Sequence, residues 1–138
     1  MVKKWSSEEY TPKIIADDIP EQYTDNGERV RSKSEVMIAD ALKKARIPYR
    51  YECPLKLGSI VVHPDFTILR IRDRLVLYWE HLGMMDDPDY LSRTIRKIRE
   101  YERHGIYPGV DLILTVETSG MPINLNVING MIKTYCNK

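Results

Sequence analysis

The sequence predicts one mixed α/β domain of the α+β kind, a mixed central sheet flanked by helices, with the order helix, three strands, helix, strand, helix. Three observations lead there. The stretch "HPDFTILRIRDRLVLYWEH", His63 to His81, is dense in β-favouring Phe, Ile, Leu, Val, Tyr and Trp, with one polar interruption at its centre. Two segments on either side of it carry apolar residues at helical spacing together with capping signals. Finally, 138 residues with 43% hydrophobic content suffice for one compact core and not for two.

Residues 1–28 read as an irregular N-terminal arm, because Pro12, Pro20 and "YTDNGE" interrupt every periodic pattern, and the domain proper is assigned to 29–138. A helix begins at Ser32 or Ser34, either serine serving as N-cap, with Ile38, Leu42 and Ala45 as its apolar stripe. Glu35 sits one turn before Ile38, at the edge of that stripe. After Pro48, "YRYECPLKL" alternates as a strand, Gly58 turns the chain, and "SIVVHPDFTIL" reads as the next strand. "VLYWEH" is the third. The second helix signature is full: Asp87 as N-cap, Pro88 at the first position, Gly105 as stop, with Leu91, Ile95 and Ile98 as the predicted buried stripe. Tyr90, Arg93, Lys97, Tyr101 and His104 line the flank beside it. "DLILTVET" reads as a buried strand, and Pro122 starts a final helix or turn through Ile123 to Tyr135.

The second and third strands form a hairpin. With Arg72 and Asp73 at its tip, antiparallel pairing sets Asp65 directly opposite Glu80, and paired positions hold their Cβ atoms roughly 5 Å apart on one face. Two carboxylates that close disfavour joint ionisation, so one must take a proton, gain a cation, or share a metal ion. Hard divalent cations take such oxygen ligands. The alternatives are neutralisation by Arg70, Arg72 or Arg74, or one carboxylate turned to solvent.

Charge and cysteines exclude little. Lys plus Arg number 21 against 20 Asp plus Glu, so the net charge of +1 neither demands nor forbids a polyanion. Basic residues nevertheless cluster, at Arg29 to Arg50 and at Arg93 to Arg103. Cys53 and Cys136 have no zinc-like spacing, and His63 and His104 add none. "MVKKWSSEEY" is followed by no apolar signal region, and no uncharged apolar run is long enough to span a membrane, so a cytoplasmic protein without a membrane partner is expected.

Taken together, Glu35 in "RSKSE", Pro64 and Asp65 in "HPDF" and Glu80 in "YWEHLG" resemble the PD-(D/E)XK superfamily of restriction-endonuclease-like nucleases. The order of acids on helix, strand and strand is that of the superfamily. The chain looks closest to a bacterial subgroup with "RSKSE … IPYRYE … PDF … YWEHxGM … DDPxY … K … HGI", over roughly residues 10 to 118. The resemblance implies a restriction-endonuclease-like αβββαβ core and a Mg²⁺- or Mn²⁺-dependent endonuclease, a hydrolase cutting phosphodiester bonds in DNA. Asp65 and Glu80 would be the metal ligands, and Glu35 would orient a water or bind a second ion.

One departure stands out. The superfamily's lysine, two residues after the second acid, is replaced by Leu82. His81 projects to the opposite strand face and cannot substitute. Superfamily members with the lysine displaced to the following helix give that role to Lys97, making Glu35, Asp65, Glu80 and Lys97 the catalytic set. Arg31, Lys33 and Arg93 are the nucleic-acid-binding candidates, contacting phosphates without base specificity. With no separate recognition domain, specificity would come from a homodimer or a protein partner. A catalytically silent module binding nucleic acid or protein is the alternative that Leu82 keeps open; a small interaction domain with decorative surface acids is the third.

Overall fold

The structure is a computed structural model that describes residues 5–6, 9–11 and 13–136. Parts of the expected arm, residues 1–4, 7, 8 and 12, and the last two residues lie outside the described residues. Strands β1 (Gln22–Tyr23) and β2 (Arg29–Val30) precede helix α1 (Lys33–Lys44). There follow β3 (Tyr49–Tyr51), β4 (Leu55–Leu57), β5 (Ile60–Val62), β6 (Phe66–Arg70) and β7 (Leu75–Leu82). Helix α2 (Pro88–Arg103), β8 (Leu112–Val116) and α3 (Leu125–Tyr135) complete the chain.

The central sheet has the order β3-β6-β7-β8. Its first three strands pair antiparallel, whereas β7 and β8 are parallel, so the sheet is mixed. A parallel neighbour cannot be reached by a tight turn, and α2 supplies the crossover. One face carries Phe66, Ile68, Leu77, Trp79 and Ile113, packed on Ile38, Ala39 and Leu42 of α1 and Ile128 and Ile132 of α3. The other face is covered by α2, where Tyr101 packs with Leu112, Leu57 and Tyr78. Trp79 is fully buried, a core residue as its strand position implies.

Local chemistry sets the helix starts. Ser32 caps α1 by accepting from the Glu35 N–H, and Asp87 caps α2 by accepting from the N–H groups of Asp89 and Tyr90, with Pro88 at the first turn. Asn124 does the same for α3 through the Val127 N–H.

Three expectations change. First, each of the two long strands is split. Pro54 and Pro64 offer no N–H to a ladder, and Glu52 takes a left-handed backbone with φ 50°. The chain therefore leaves the sheet after Tyr51, forms the β4–β5 hairpin around Gly58 (φ 61°), and re-enters at Phe66. Second, the β6–β7 connection is a four-residue turn, Ile71 to Arg74, with Arg74 at φ 57°, rather than a two-residue tip. The register survives: Phe66 faces Trp79 and Arg70 faces Leu75, so the next step places Asp65 beside Glu80. Third, α2 is rotated from its apolar stripe. Thr94 and Tyr101 are its buried residues and Leu91 and Ile98 stay half-buried, while Ile95, the third member of the stripe, is 45% exposed.

Part of the arm is seated on the domain. The Tyr10 hydroxyl donates to the Tyr51 carbonyl at 2.8 Å, and the Arg50 guanidinium lies 4.1 Å from the Trp5 ring centre. Gln22–Tyr23 pairs with Arg29–Val30, a short ladder inside the segment expected to be irregular. No helix among the described residues is long and apolar enough to cross a membrane.

Candidate metal centre

The ends of β6 and β7 carry the two acids that the hairpin register brings together. Asp65 immediately precedes β6, and its Oδ2 accepts the His81 N–H at 2.6 Å, a bond across the end of the ladder. Its own carbonyl accepts the Glu52 N–H at 3.0 Å. Glu80 is buried and points to the α2 face, where its Oε2 takes two donors: the Tyr101 hydroxyl at 2.5 Å and the Lys97 ammonium at 2.7 Å. The rotation of α2 follows from this. Tyr101 and Lys97 lie one turn apart on one helix face, and turning that face to the sheet leaves Ile95 outside.

The cation beside Glu80 is thus Lys97. The arginines of the hairpin are elsewhere: Arg70 stands at the far end of β6 and makes a two-pronged bond to Asp73 at 3.0 and 2.9 Å. Neutralisation of the pair by Arg70 is thereby overturned. A third carboxylate arrives from the opposite side of the sheet. Glu35, in the first turn of α1, is 6% exposed, and its Oε1 accepts the Arg31 N–H and the Tyr51 hydroxyl, each at 2.9 Å.

Sequence reasoning missed the fourth. Glu52 is buried to 3% exposure and lies where β3 ends, with ligand oxygens of Glu35, Glu52 and Asp65 all within 4.8 Å of one another. Its left-handed backbone is a conformation a β-region residue adopts at a cost of order 1 kcal/mol. The signal in the sequence was Pro54 two residues on, which ends the strand and frees the preceding backbone to turn. Arg31 holds Glu52 through Nε at 2.5 Å and Nη2 at 2.9 Å, and also donates to the Ile14 carbonyl.

The acids perturb one another. Burial, then the charges of Glu80 and Glu35, push the Asp65 carboxyl well above the usual carboxylate range, with Lys97 and the His81 N–H opposing. Burial likewise raises Glu35, against the bonds from Tyr51 and Arg31. Burial alone would lower Lys97; the neighbouring Glu80 and Asp65 outweigh it and hold the ammonium above its ordinary value.

Between Asp65, Glu80 and α2 lies a cavity of about 170 Å³, also lined by Leu82, Tyr90, Arg93 and Lys97. A water occupies about 30 Å³, so this space accommodates a hydrated ion with a phosphate group. Carboxylate oxygens of this kind suit a hard divalent ion. The structure brings Glu35, Asp65, Glu80 and Lys97 into one neighbourhood and sets Arg93 at its rim. Lys33 is exposed on the first turn of α1, and the Arg31 guanidinium is engaged by Glu52. His81 turns to the other face, where it bonds Thr115 and Glu117.

No family model matches the chain, and no solved structure matches it. A stretch of 84 residues is 39% identical to part of an uncharacterised protein of Methanocaldococcus jannaschii. The match covers 61% of this chain and 7% of that protein, so the chain spans a small part of the length of the relative it resembles.

Proposed function

We propose that the protein is a metal-dependent nuclease that hydrolyses phosphodiester bonds in DNA, with Mg²⁺ or Mn²⁺ as its ion. The observation that carries this reading is that Asp65 belongs to two acidic groupings, its oxygens within 4.8 Å of those of Glu35 and Glu52, and its side chain lining with Glu80 and Lys97 a cavity of about 170 Å³. Asp65 and Glu80 would hold the ion, with Glu35 and Glu52 next to Asp65. A bound divalent ion supplies an acidified water and neutralises phosphate charge.

The chain's own groups do the rest. Tyr101 fixes the Glu80 carboxylate, and the His81 N–H fixes that of Asp65. Lys97, kept charged by its acidic neighbours, offers a donor to the charge that builds on a phosphoryl oxygen. Arg93 at the rim and Lys33 on α1 are available to neighbouring phosphates, positioning the backbone without reading bases. Arg31, the third phosphate-contact candidate, has its guanidinium bonded to Glu52, which it orients.

A second reading, a silent module binding nucleic acid or protein, is favoured by one feature: Lys97 already pairs with Glu80 and Arg31 with Glu52, so two of the four acids have a cation without an ion. Incubating supercoiled plasmid, linear duplex and single-stranded DNA with the protein, with Mn²⁺, Mg²⁺ or a chelator, separates the two. The nuclease reading expects ion-dependent cutting that Asp65→Asn and Glu80→Gln abolish. No ion-dependent cutting by the wild type, or calorimetry showing that it binds no Mn²⁺, favours the silent module, whereas cutting that persists in both variants removes Asp65 and Glu80 from the chemistry.

A further inference from the structure

The candidate centre is assembled from two sides of the sheet. Asp65 and Glu80 point to the α2 face, whereas Glu35 comes from α1, which packs on the other face. Something must hold α1 and β7 in a fixed relation at this end. On the face away from Glu80, the Glu117 carboxylate does so. Its Oε1 accepts from the Ser34 hydroxyl at 2.5 Å and bonds the His81 Nε2, and its Oε2 accepts the Ile123 N–H at 3.3 Å. The Glu117 backbone is tied as well, its N–H donating to the Leu82 carbonyl at 3.0 Å and its carbonyl accepting from the Met85 N–H at 3.2 Å.

Two of that carboxylate's three partners are sequence neighbours of candidate ligands. Ser34 precedes Glu35, and His81 follows Glu80. His81 is moreover the residue whose N–H holds Asp65 Oδ2. We propose that Glu117 is a positioning residue: with Ser34 and His81 it forms a strut behind the sheet that sets Glu35, Asp65 and Glu80 in register for one ion. The proposal rests on the metal reading of these acids.

The proton pattern makes the strut directional. Glu117 can only accept, so His81 Nε2 carries the hydrogen between them. In the neutral ring Nδ1 is then an acceptor, and it lies 2.8 Å from the Thr115 hydroxyl oxygen, which itself accepts from the Trp79 indole N–H at 2.9 Å. The chain Trp79, Thr115, His81, Glu117 thus engages both ring nitrogens and holds the imidazole plane at the point of β7 where Glu80 and His81 sit. Thr115 is 2% exposed, which makes it a link in this chain and no nucleophile. Partners of this kind behind a metal ligand typically alter metal affinity by about 10- to 100-fold when removed.

The test uses the full chain, with Glu117→Gln, which keeps the shape, and Ser34→Ala, which removes one arm without touching β7. Amide exchange of the His81 N–H, followed by NMR in metal-free protein, reads the strut regardless of any ion. It is expected to quicken about tenfold in Glu117→Gln relative to core amides such as that of Ile113, and unchanged exchange overturns the proposal. In parallel, Mn²⁺ affinity by calorimetry should fall about tenfold or more in both variants at unchanged melting temperature. Wild-type affinity in both also overturns it. If the wild type binds no Mn²⁺ at all, the metal reading fails, and with it the strut's role in placing ligands, while quickened His81 exchange would still register the strut as a backbone brace.

Discussion

The Lys97 ammonium lies 2.7 Å from Glu80 Oε2, on the helix that follows the strand rather than two residues along it. Two residues along the strand stands Leu82, on the same face as Glu80 and lining the same cavity. The cation is thus delivered to the acid from α2, through a side chain that is about a third exposed (35%). Removing it with Lys97→Ala should cut turnover about a hundredfold, the loss typical of a transition-state donor, without weakening Mn²⁺ binding. Lys97→Arg should recover little, since a planar guanidinium presents its donors differently. Leu82→Lys in the Lys97→Ala background should restore part of the rate. Single-turnover cleavage assays check all three, and undiminished cutting by Lys97→Ala would remove this residue from the chemistry.

Asp65 is the acid with the most to gain from losing its charge. It is half-buried among Glu35, Glu52 and Glu80, and its carboxyl is raised well above the ordinary range by burial and by the charges of Glu80 and Glu35. In metal-free buffer at neutral pH, Asp65→Asn should therefore unfold at higher urea than the wild type. The same variant should lose Mn²⁺ affinity by a factor of about a hundred or more, because an amide is a poor replacement for a carboxylate on a hard ion. Lower stability of the variant without metal would show that the Asp65 charge is satisfied in ways its surroundings do not suggest.

The pairing of Asp65 with Glu80 was legible because a hairpin's register follows from its strand lengths, and a turn two residues longer left that register unchanged. The caps Ser32, Asp87 and Pro88 were legible because they act within one turn of their own position. What escaped was the chemistry that overrides local pattern. Leu91 and Ile98 of the expected stripe are half-buried, yet Ile95 is left outside because α2 turns Thr94, Lys97 and Tyr101 inward, where Lys97 and Tyr101 give Glu80 its two donors. Glu52 and Glu117 escaped for a related reason. Each sits at the end of an alternating strand, where period-two reading assigns a face but cannot tell that the backbone leaves the ladder.

Tyr51 joins that buried network through its hydroxyl. It donates to Glu35 Oε1 at 2.9 Å and accepts the Arg31 N–H at 3.1 Å, while burial and the nearby carboxylates hold its own titration far above the usual phenol range. Tyr51→Phe keeps the ring contact with Phe66 but takes one of two donors from the buried Glu35 oxygen, leaving the Arg31 N–H. The cost should be about 1–3 kcal/mol in urea unfolding, the range for a buried group that loses a partner. The Glu35 carboxyl should also titrate still higher, since Tyr51 is the bond that most lowers it. Carboxyl chemical shifts across a pH series measure this, and an unmoved Glu35 titration would mean that the hydroxyl does not set the acid's charge.

Those raised carboxyls give the metal-free protein a pH dependence of definite sign. Asp65 and Glu35 have folded-state values above the unfolded ones of about 3.9 and 4.3, so between the two the native state binds more protons than the unfolded chain. Their contribution to stability is whole below about pH 4 and is lost as the pH rises through the raised folded values. Other acids act oppositely: Asp73, lowered by its bond to Arg70, and Glu117, where Ser34 and His81 outweigh burial, lose stability as the pH falls. The difference between wild type and Asp65→Asn isolates the site from that background. In a chelator, urea midpoints should show the wild type falling progressively below the variant as the pH is taken from 4 to 8. Saturating Mn²⁺ should reverse the order at the alkaline end, because the ion binds the ionised carboxylates and displaces their protons. A difference that stays flat with pH would mean that Asp65 titrates as an ordinary surface acid, and the crowding of carboxylates around it would then carry no electrostatic cost for an ion to relieve.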